Sequence, residues 1–277
     1  MLVNRLHIAL LFALTSSSAF AATDSPYQHD AGITYSASTD EFSEGTWNAD
    51  YRYYFTPVSQ DSAPYALSGF LAQTSNIGGS YNINDDTDFY NVSGEYVFAS
   101  KWFIGANYAA FDNDFNDINA YGASLGYYFN ASSAVYLDYS TTDSKSEFAE
   151  DMHGKTDSDS FSLGIRSFIA LQSTAGVDLL ANVSYSESTS TINYDTYGTY
   201  HDKSNDTFVN LRASWYLTRS WSLGGHYTVQ DGGDSSNIYT SYYWRLTDLI
   251  SAQASLNKFI ESDIDDLSLA LGLNGRF

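Results

Sequence analysis

Ser268-Leu269-Ala270-Leu271-Gly272-Leu273-Asn274-Gly275-Arg276-Phe277 closes the chain, alternating apolar and polar positions up to a terminal phenylalanine. Period-two alternation sends successive side chains to opposite faces, so this segment reads as a strand with one greasy and one wet face. The same pattern recurs along the sequence at about ten residues a time, the length that crosses a bilayer as a tilted strand. Lipid offers backbone amides and carbonyls no partners, so strands span it only when their sheet closes on itself. The fold expected is all-β: a transmembrane, antiparallel, up-and-down β-barrel.

The other end of the chain indicates the compartment. Asn4, Arg5 and His7 form a short polar and basic region, Ile8 to Leu14 an apolar stretch, and Ser18-Ala19-Phe20-Ala21 a small-residue end. That is the pattern of a secretory signal peptide over residues 1–21, cut after Ala21, which leaves 22–277 as one barrel domain. A membrane-anchoring helix needs about 20 apolar residues, more than this stretch has. There are no cysteines, so no disulfide, thiolate metal site or lipid-modified amino terminus is available. A net charge of −21 argues against nucleic acid as a partner, because phosphate backbones demand Lys and Arg. It is compatible with a barrel, whose charges sit in the lumen and loops. No cofactor is expected.

Fourteen candidate strands follow from the alternation: 30–38, 46–56, 64–75, 88–98, 101–111, 118–129, 133–143, 160–171, 175–187, 206–218, 220–230, 238–247, 249–260 and 266–277. A wall of twelve, without 30–38 and 64–75, is the alternative. Links after even-numbered strands are tight: Val58–Ala63, Ala99-Ser100, Asn130–Ser132, Gln172–Thr174, Arg219 and Thr247-Asp248. Links after odd-numbered strands are mostly longer and polar: Thr39–Gly45, Gly78–Thr87, Asp112–Asp117, Ser144–Asp159, Ser188–Asn205, Asp231–Asn237 and Glu261–Asp265. Short turns at one rim and long loops at the other are what outer-membrane barrels show, and a soluble sandwich has no reason to sort its connections so.

Face assignment is clean in most strands. Phe161, Leu163 and Ile165 oppose Ser162, Gly164 and Arg166; Val209, Leu211, Ala213 and Trp215 oppose Asn210, Arg212 and Ser214. Trp102 and Trp221 open strands at the short-turn rim and Trp215 and Trp244 close strands there, while Trp47 stands at the other end. Such placement suits interfacial girdles, where amphipathic rings sit at headgroup depth.

Fourteen strands ~4.8 Å apart and tilted ~40° enclose a backbone diameter of roughly 28 Å, too wide for wall side chains to fill. The expected lumenal face carries Asp50, Arg52, Glu95, Asp138, Arg166, Asp178, Arg212, His226, Arg245 and Arg276. These charges could set up a transverse field that orients polar solutes, or could pair across strands and brace the wall. Acidic runs such as Asn84-Asp85-Asp86, Asp112-Asn113-Asp114 and Asp263-Ile264-Asp265-Asp266 predict a negative outer mouth that favours cations. None matches the ligand order of an EF-hand loop. Inward Tyr54, Tyr128, Tyr136 and Tyr243 offer the alternative of a sugar-stacking, substrate-specific channel. Loops 144–159 and 188–205, with Tyr194, Tyr197 and Tyr200, offer that of a plugged or surface-binding barrel.

An enzyme is not expected. After the signal peptide the histidines are His29, His153, His201 and His226, and His226 shares a strand face with Ser222 and Thr228. A His–Ser pair without an orienting third group and oxyanion donors does not make an acyl-transfer site.

The signal peptide, Phe277 behind Leu269, Leu271 and Leu273, and the aromatic-rich strands together resemble a Gram-negative outer-membrane porin. The likeness runs over the full mature chain and is to the small general porins under 300 residues and the monomeric fourteen-stranded channels. It implies passive diffusion of small hydrophilic solutes and contact with outer-membrane lipid and lipopolysaccharide. It also implies that the barrel-assembly machinery reads the last strand. Gly275 departs from the pattern, since an aromatic or large apolar residue is usual there. No long third loop with the acidic-proline motif of trimeric porins is recognisable, which favours a monomer and leaves an oligomer open.

Overall fold

The alternation becomes a closed barrel of fourteen strands in a computed structural model, which describes residues 25–277 except 62, 85–86, 114, 150–151, 195–197 and 261–266. The strands are β1 Tyr27–Ser38, β2 Thr46–Val58, β3 Asn76–Ile83, β4 Thr87–Val97, β5 Trp102–Asn113, β6 Asn116–Asn130 and β7 Ser133–Ala149, followed by β8 Met152–Ile169, β9 Gly176–Tyr194, β10 Gly198–Tyr216, β11 Trp221–Gln230, β12 Ser235–Arg245, β13 Ile250–Phe259 and β14 Leu267–Arg276. Each pairs antiparallel with its chain neighbours, and β1 meets β14 from Asp30 opposite Arg276 to Ser38 opposite Ser268. Closure leaves no unpaired edge, which a sheet in lipid requires. The signal-peptide region and the link Glu261–Asp265 lie outside the described residues.

The outward face is a band of exposed Ile33, Ile77, Val92, Ile104, Leu137, Leu163 and Leu211. So much contiguous apolar surface marks the contact with acyl chains. The rim opposite the chain termini is edged by tyrosines that donate to an acid or amide at the adjoining position. Tyr81 donates to Asp88 at 2.7 Å, Tyr139 to Asp159 at 2.7 Å, Tyr185 to Glu187 at 2.9 Å and Tyr108 to Asn119 at 2.7 Å. An aromatic body in lipid and a hydroxyl turned to the charged side is how such rings sit at an interface.

Three sequence expectations change. Residues 64–75 are not a strand: β2 runs to Val58, and the connection to β3 holds a 3₁₀ turn, Tyr65–Leu67, and a short helix, α1, Ser68–Ala72. The tight link expected at Val58–Ala63 is therefore the start of a long one. The third strand is Asn76–Ile83, which takes up the first six residues of the stretch expected as the loop Gly78–Thr87, and the wall remains fourteen-stranded. Finally, most of 144–159 and 188–205 continues the ladder instead of looping, so that β7, β8, β9 and β10 reach 17, 18, 19 and 19 residues. About 10 residues span the bilayer, so these hairpins stand roughly 20 Å clear of it. Hydroxyl pairs between neighbouring strands, Thr156 with Ser190 at 3.0 Å and Ser158 with Ser188 at 2.7 Å, hold them together.

The buried core is inside the barrel, at the rim of the chain termini. Tyr27, Tyr54 and Val58 form one cluster against Ala72; Leu67, Phe168 and Tyr216 a second with Leu71; Phe103, Tyr128 and Ala134 a third with Phe70. Every cluster meets the β2–β3 connection, which is folded into the lumen.

Candidate functional site

The site is this lumen, and the described residues of the β2–β3 connection, 59–61 and 63–75, fold into it at the rim of the chain termini. Pro64 starts the 3₁₀ turn, and Leu67, Phe70 and Leu71 follow at helical spacing, so the segment coils and presents apolar side chains to the wall. Leu67 lies between Phe168 and Tyr216, and Phe70 against Tyr128, with ring centroids 6.1 Å apart. Tyr65 stacks on Tyr243 at 5.4 Å. Gly69 fits because it lacks a Cβ: one built there would lie 2.3 Å from the Tyr54 hydroxyl.

Arginines of the wall hold the segment's polar groups. Arg276 Nη1 donates to the Tyr65 carbonyl at 3.0 Å and to Gln60 Oε1 at 3.2 Å. Its Nε donates to Asp30 at 3.1 Å, across the β1–β14 seam. Arg219, in the β10–β11 turn, donates from Nε to the Ala63 carbonyl at 3.1 Å and lies 4.6 Å over the Tyr65 ring. Arg166 rests 4.2 Å over the Phe70 ring. The segment thus touches β1, β2, β6, β8, β10, β12 and β14 from inside the barrel.

The expected lumenal residues sort into two sides. Asp30 and Asp50 on β1 and β2, Glu95 on β4 and Asp138 on β7 form an acidic half, with Arg52 among them donating to Asn76 and to Ser93. Glu95 accepts from Tyr128 at 3.2 Å and Asp138 from Ser162 at 3.3 Å. The other half carries Arg166 on β8, Arg212 on β10, His226 on β11, Arg245 on β12 and Arg276 on β14, around buried Asp178 on β9. Arg166 gives Asp178 a two-pronged contact at 3.0 and 3.1 Å, while Arg212 approaches it at 3.5 Å. Arg245 caps the β12–β13 turn through the Asp248 carbonyl at 2.9 Å.

Trp47, Trp102, Trp215, Trp221 and Trp244 all project outward and are exposed, the last four near the rim of the chain termini. Leu269, Leu271 and Leu273 stand opposite Ala37, Tyr35 and Ile33 on β1, and Phe277 stacks on His29 at 5.0 Å. Among the described residues no group of three or more His, Cys, Asp or Glu is placed to hold a metal ion. His226 faces Arg212 across β10–β11. Of the four sugar-stacking candidates, Tyr54, Tyr128 and Tyr243 are buried under the inward segment, and Tyr136 is half-buried against the third cluster. Sequence reasoning passed over Asp30, Gln60, Tyr65, Phe70 and Arg219. The helical spacing of Leu67, Phe70 and Leu71 was the signal for the segment.

The family model described as "putative general bacterial porin" matches residues 3–154. No curated protein matches the chain. Among solved structures, outer membrane protein Omp33 of Acinetobacter baumannii is similar over 92% of this chain and 100% of that one, with 15% identity and a TM-score of 0.60. A bacterial polysaccharide outer membrane secretin is similar over 92% of this chain and 100% of that one, with 16% identity and a TM-score of 0.52. At these identities the likeness is one of fold.

Proposed function

The chain belongs to the general bacterial porins, barrels of the outer membrane that serve as channels, and on that premise we propose that it passes ions and small hydrophilic solutes passively, prefers cations, and is throttled by residues 59–75. One observation carries this reading: a lumen lined by polar side chains, too wide for its wall to fill, is entered at one end by one short segment among the described residues. The wall side chains around the remaining bore are mostly polar, with Ser, Asn, Asp, Glu and Arg among a few Tyr, which suits water and hydrated ions. Cation preference is supported by Glu95 and Asp138, whose hydrogen-bond donors are neutral hydroxyls rather than cations. In this reading residues 1–21 are removed on export, the Trp side chains anchor the band, and the barrel-assembly machinery engages Leu269, Leu271, Leu273 and Phe277. The transport role needs no catalytic group.

Planar-bilayer recording tests it. The reading expects ohmic currents, a reversal potential in a KCl gradient of the sign for cations, and larger currents once residues 62–73 are replaced by a short Gly-Ser turn. If the folded barrel stays electrically silent both with and without the segment, the channel reading is wrong.

A further inference from the structure

Asp178 is flanked by two guanidiniums and can satisfy one of them. Arg166 occupies both of its oxygens, in the fork geometry that gives arginine–carboxylate pairs their strength. Arg212 reaches the same carboxylate only at 3.5 Å, and its Nε is buried with no hydrogen-bond partner, which leaves the outer guanidinium nitrogens to meet a ligand. Two arginines against one carboxylate leave one positive charge over, and it resides on Arg212, whose side chain is 39% exposed.

That surplus cation faces a cavity of about 490 Å³ just above Leu67 of the inward segment. His226, directly opposite Arg212 on β11, shares the cavity with Ser222, Asn237, Tyr239 and Ser241, and the paired Arg166 and Asp178 also line it. Tyr239 lies flat over Gly224, where a Cβ would come within 2.4 Å of its ring, and its hydroxyl is held by Ser214 Oγ at 2.6 Å. The ring therefore forms a fixed wall and leaves the space beside His226 open. A volume of this size suits a small molecule, and few convergent polar groups are what such sites use to fix orientation.

We infer that this cavity binds the carboxylate group of a small organic solute, with Arg212 taking the carboxylate in a fork and His226 and the hydroxyls of Ser222 and Ser241 around it. This goes beyond passive diffusion by giving the lumen a resting place for one chemical class, and it rests on that reading only for the solute's route in. A carboxylate fits because it is planar and two-pronged; chloride would meet the charge but not the fork. Arg212→Lys keeps the charge and loses the fork.

The test is a titration of the folded, detergent-solubilised barrel with sodium acetate, against sodium chloride at equal ionic strength, following the Arg212 Nε–H resonance by NMR. The resonance is assigned by its loss in Arg212→Gln. Saturable movement downfield with acetate, and none with chloride, is expected. Acetate affinity by calorimetry should fall about tenfold in Arg212→Gln, with Arg212→Lys in between, in variants that keep the parent's thermal unfolding temperature. Linear, non-saturating movement that chloride reproduces overturns the site, as does equal acetate affinity in the parent and Arg212→Gln. Because binding is read without current, a barrel that conducts but ignores acetate refutes this site alone. One that binds acetate but never conducts refutes the channel reading alone.

Discussion

The guanidinium of Arg276 ties the seam of the wall to the segment inside it. It pairs with Asp30 across β1–β14, both side chains being largely buried at 11% and 15% exposure, and it holds the Tyr65 carbonyl and Gln60 from the same group. Removing the carboxylate strands a buried cation, a cost that generally exceeds the net worth of the pair. Asp30→Asn is therefore expected to destabilise the folded barrel by on the order of 3 kcal/mol. Guanidinium-chloride unfolding in detergent reads it, and an unchanged midpoint would show that the pair braces nothing. Arg276 was legible in the sequence as lumenal, because alternation from Leu269 to Leu273 fixes its side of the strand. Its partner was not. Which residue of the first strand meets the last depends on register at the closure, and period-two patterning is blind to a shift of two residues. The same limit hid the Arg166–Asp178–Arg212 arrangement, although each member had been assigned to the lumen.

Two elements show where alternation fails as a signal, and why. Residues 64–75 are apolar and strand-sized, but Leu67, Phe70 and Leu71 fall at helical spacing, and the packing of Leu67 and Phe70 against wall aromatics decides for a coil turned inward. The upper halves of β7 to β10 fail the other way. Above the bilayer both faces meet water, so outward Asp157 and Lys155 and inward Ser158 are all polar, and a regular ladder reads as loop. In β3 the outward Ile77, Tyr81 and Ile83 did alternate, with Gly78 and Gly79 masking them. Gly69→Val tests the inward element: the new side chain must displace the Tyr54 hydroxyl, loosen α1 from the wall and raise single-channel conductance. Conductance equal to the parent's would mean that the segment does not throttle flow. On the projecting β7–β8 hairpin, Asp143 and Asp157 stand directly opposite, and Lys155 lies 2.8 Å from Asp157 and 3.8 Å from Asp143. The hydrogen bond from Lys155 holds the Asp157 carboxyl below its ordinary value, and the bond to Asp157 pushes Asp143 up. Lys155→Met should raise the Asp157 titration midpoint in a carbon-13 NMR pH series, and a midpoint that stays put would place the lysine elsewhere in solution.

At the scale of the molecule, the charge of −21 is distributed unevenly, and under the proposed reading that distribution sets what the channel admits. Among the described residues, Asp143, Asp157, Asp159, Glu187 and Asp202 stand on the projecting parts of β7 to β10, while Arg166, Arg212, Arg245 and Arg276 lie on the β8–β14 side near the inward segment. Entry and passage therefore see different fields. Under the proposed reading a cation is concentrated at the mouth by long-range attraction, whereas an anion that enters meets Arg212 and Arg166 at close range. The two respond differently to salt. The Debye length shrinks from about 10 Å at 0.1 M to about 3 Å at 1 M, which screens the mouth across its width but leaves contacts of 3–4 Å in the confined lumen far less affected. The cation-to-anion permeability ratio is accordingly expected to be highest in dilute KCl and to fall towards unity, or below it, by 1 M. Glu95→Gln with Asp138→Asn removes two lumenal carboxylates and should lower the ratio at every concentration while leaving its salt dependence in place. Reversal potentials over a series of KCl gradients separate the two effects. A ratio independent of salt would assign selectivity to the deep charges alone and leave the acidic mouth without a part in it.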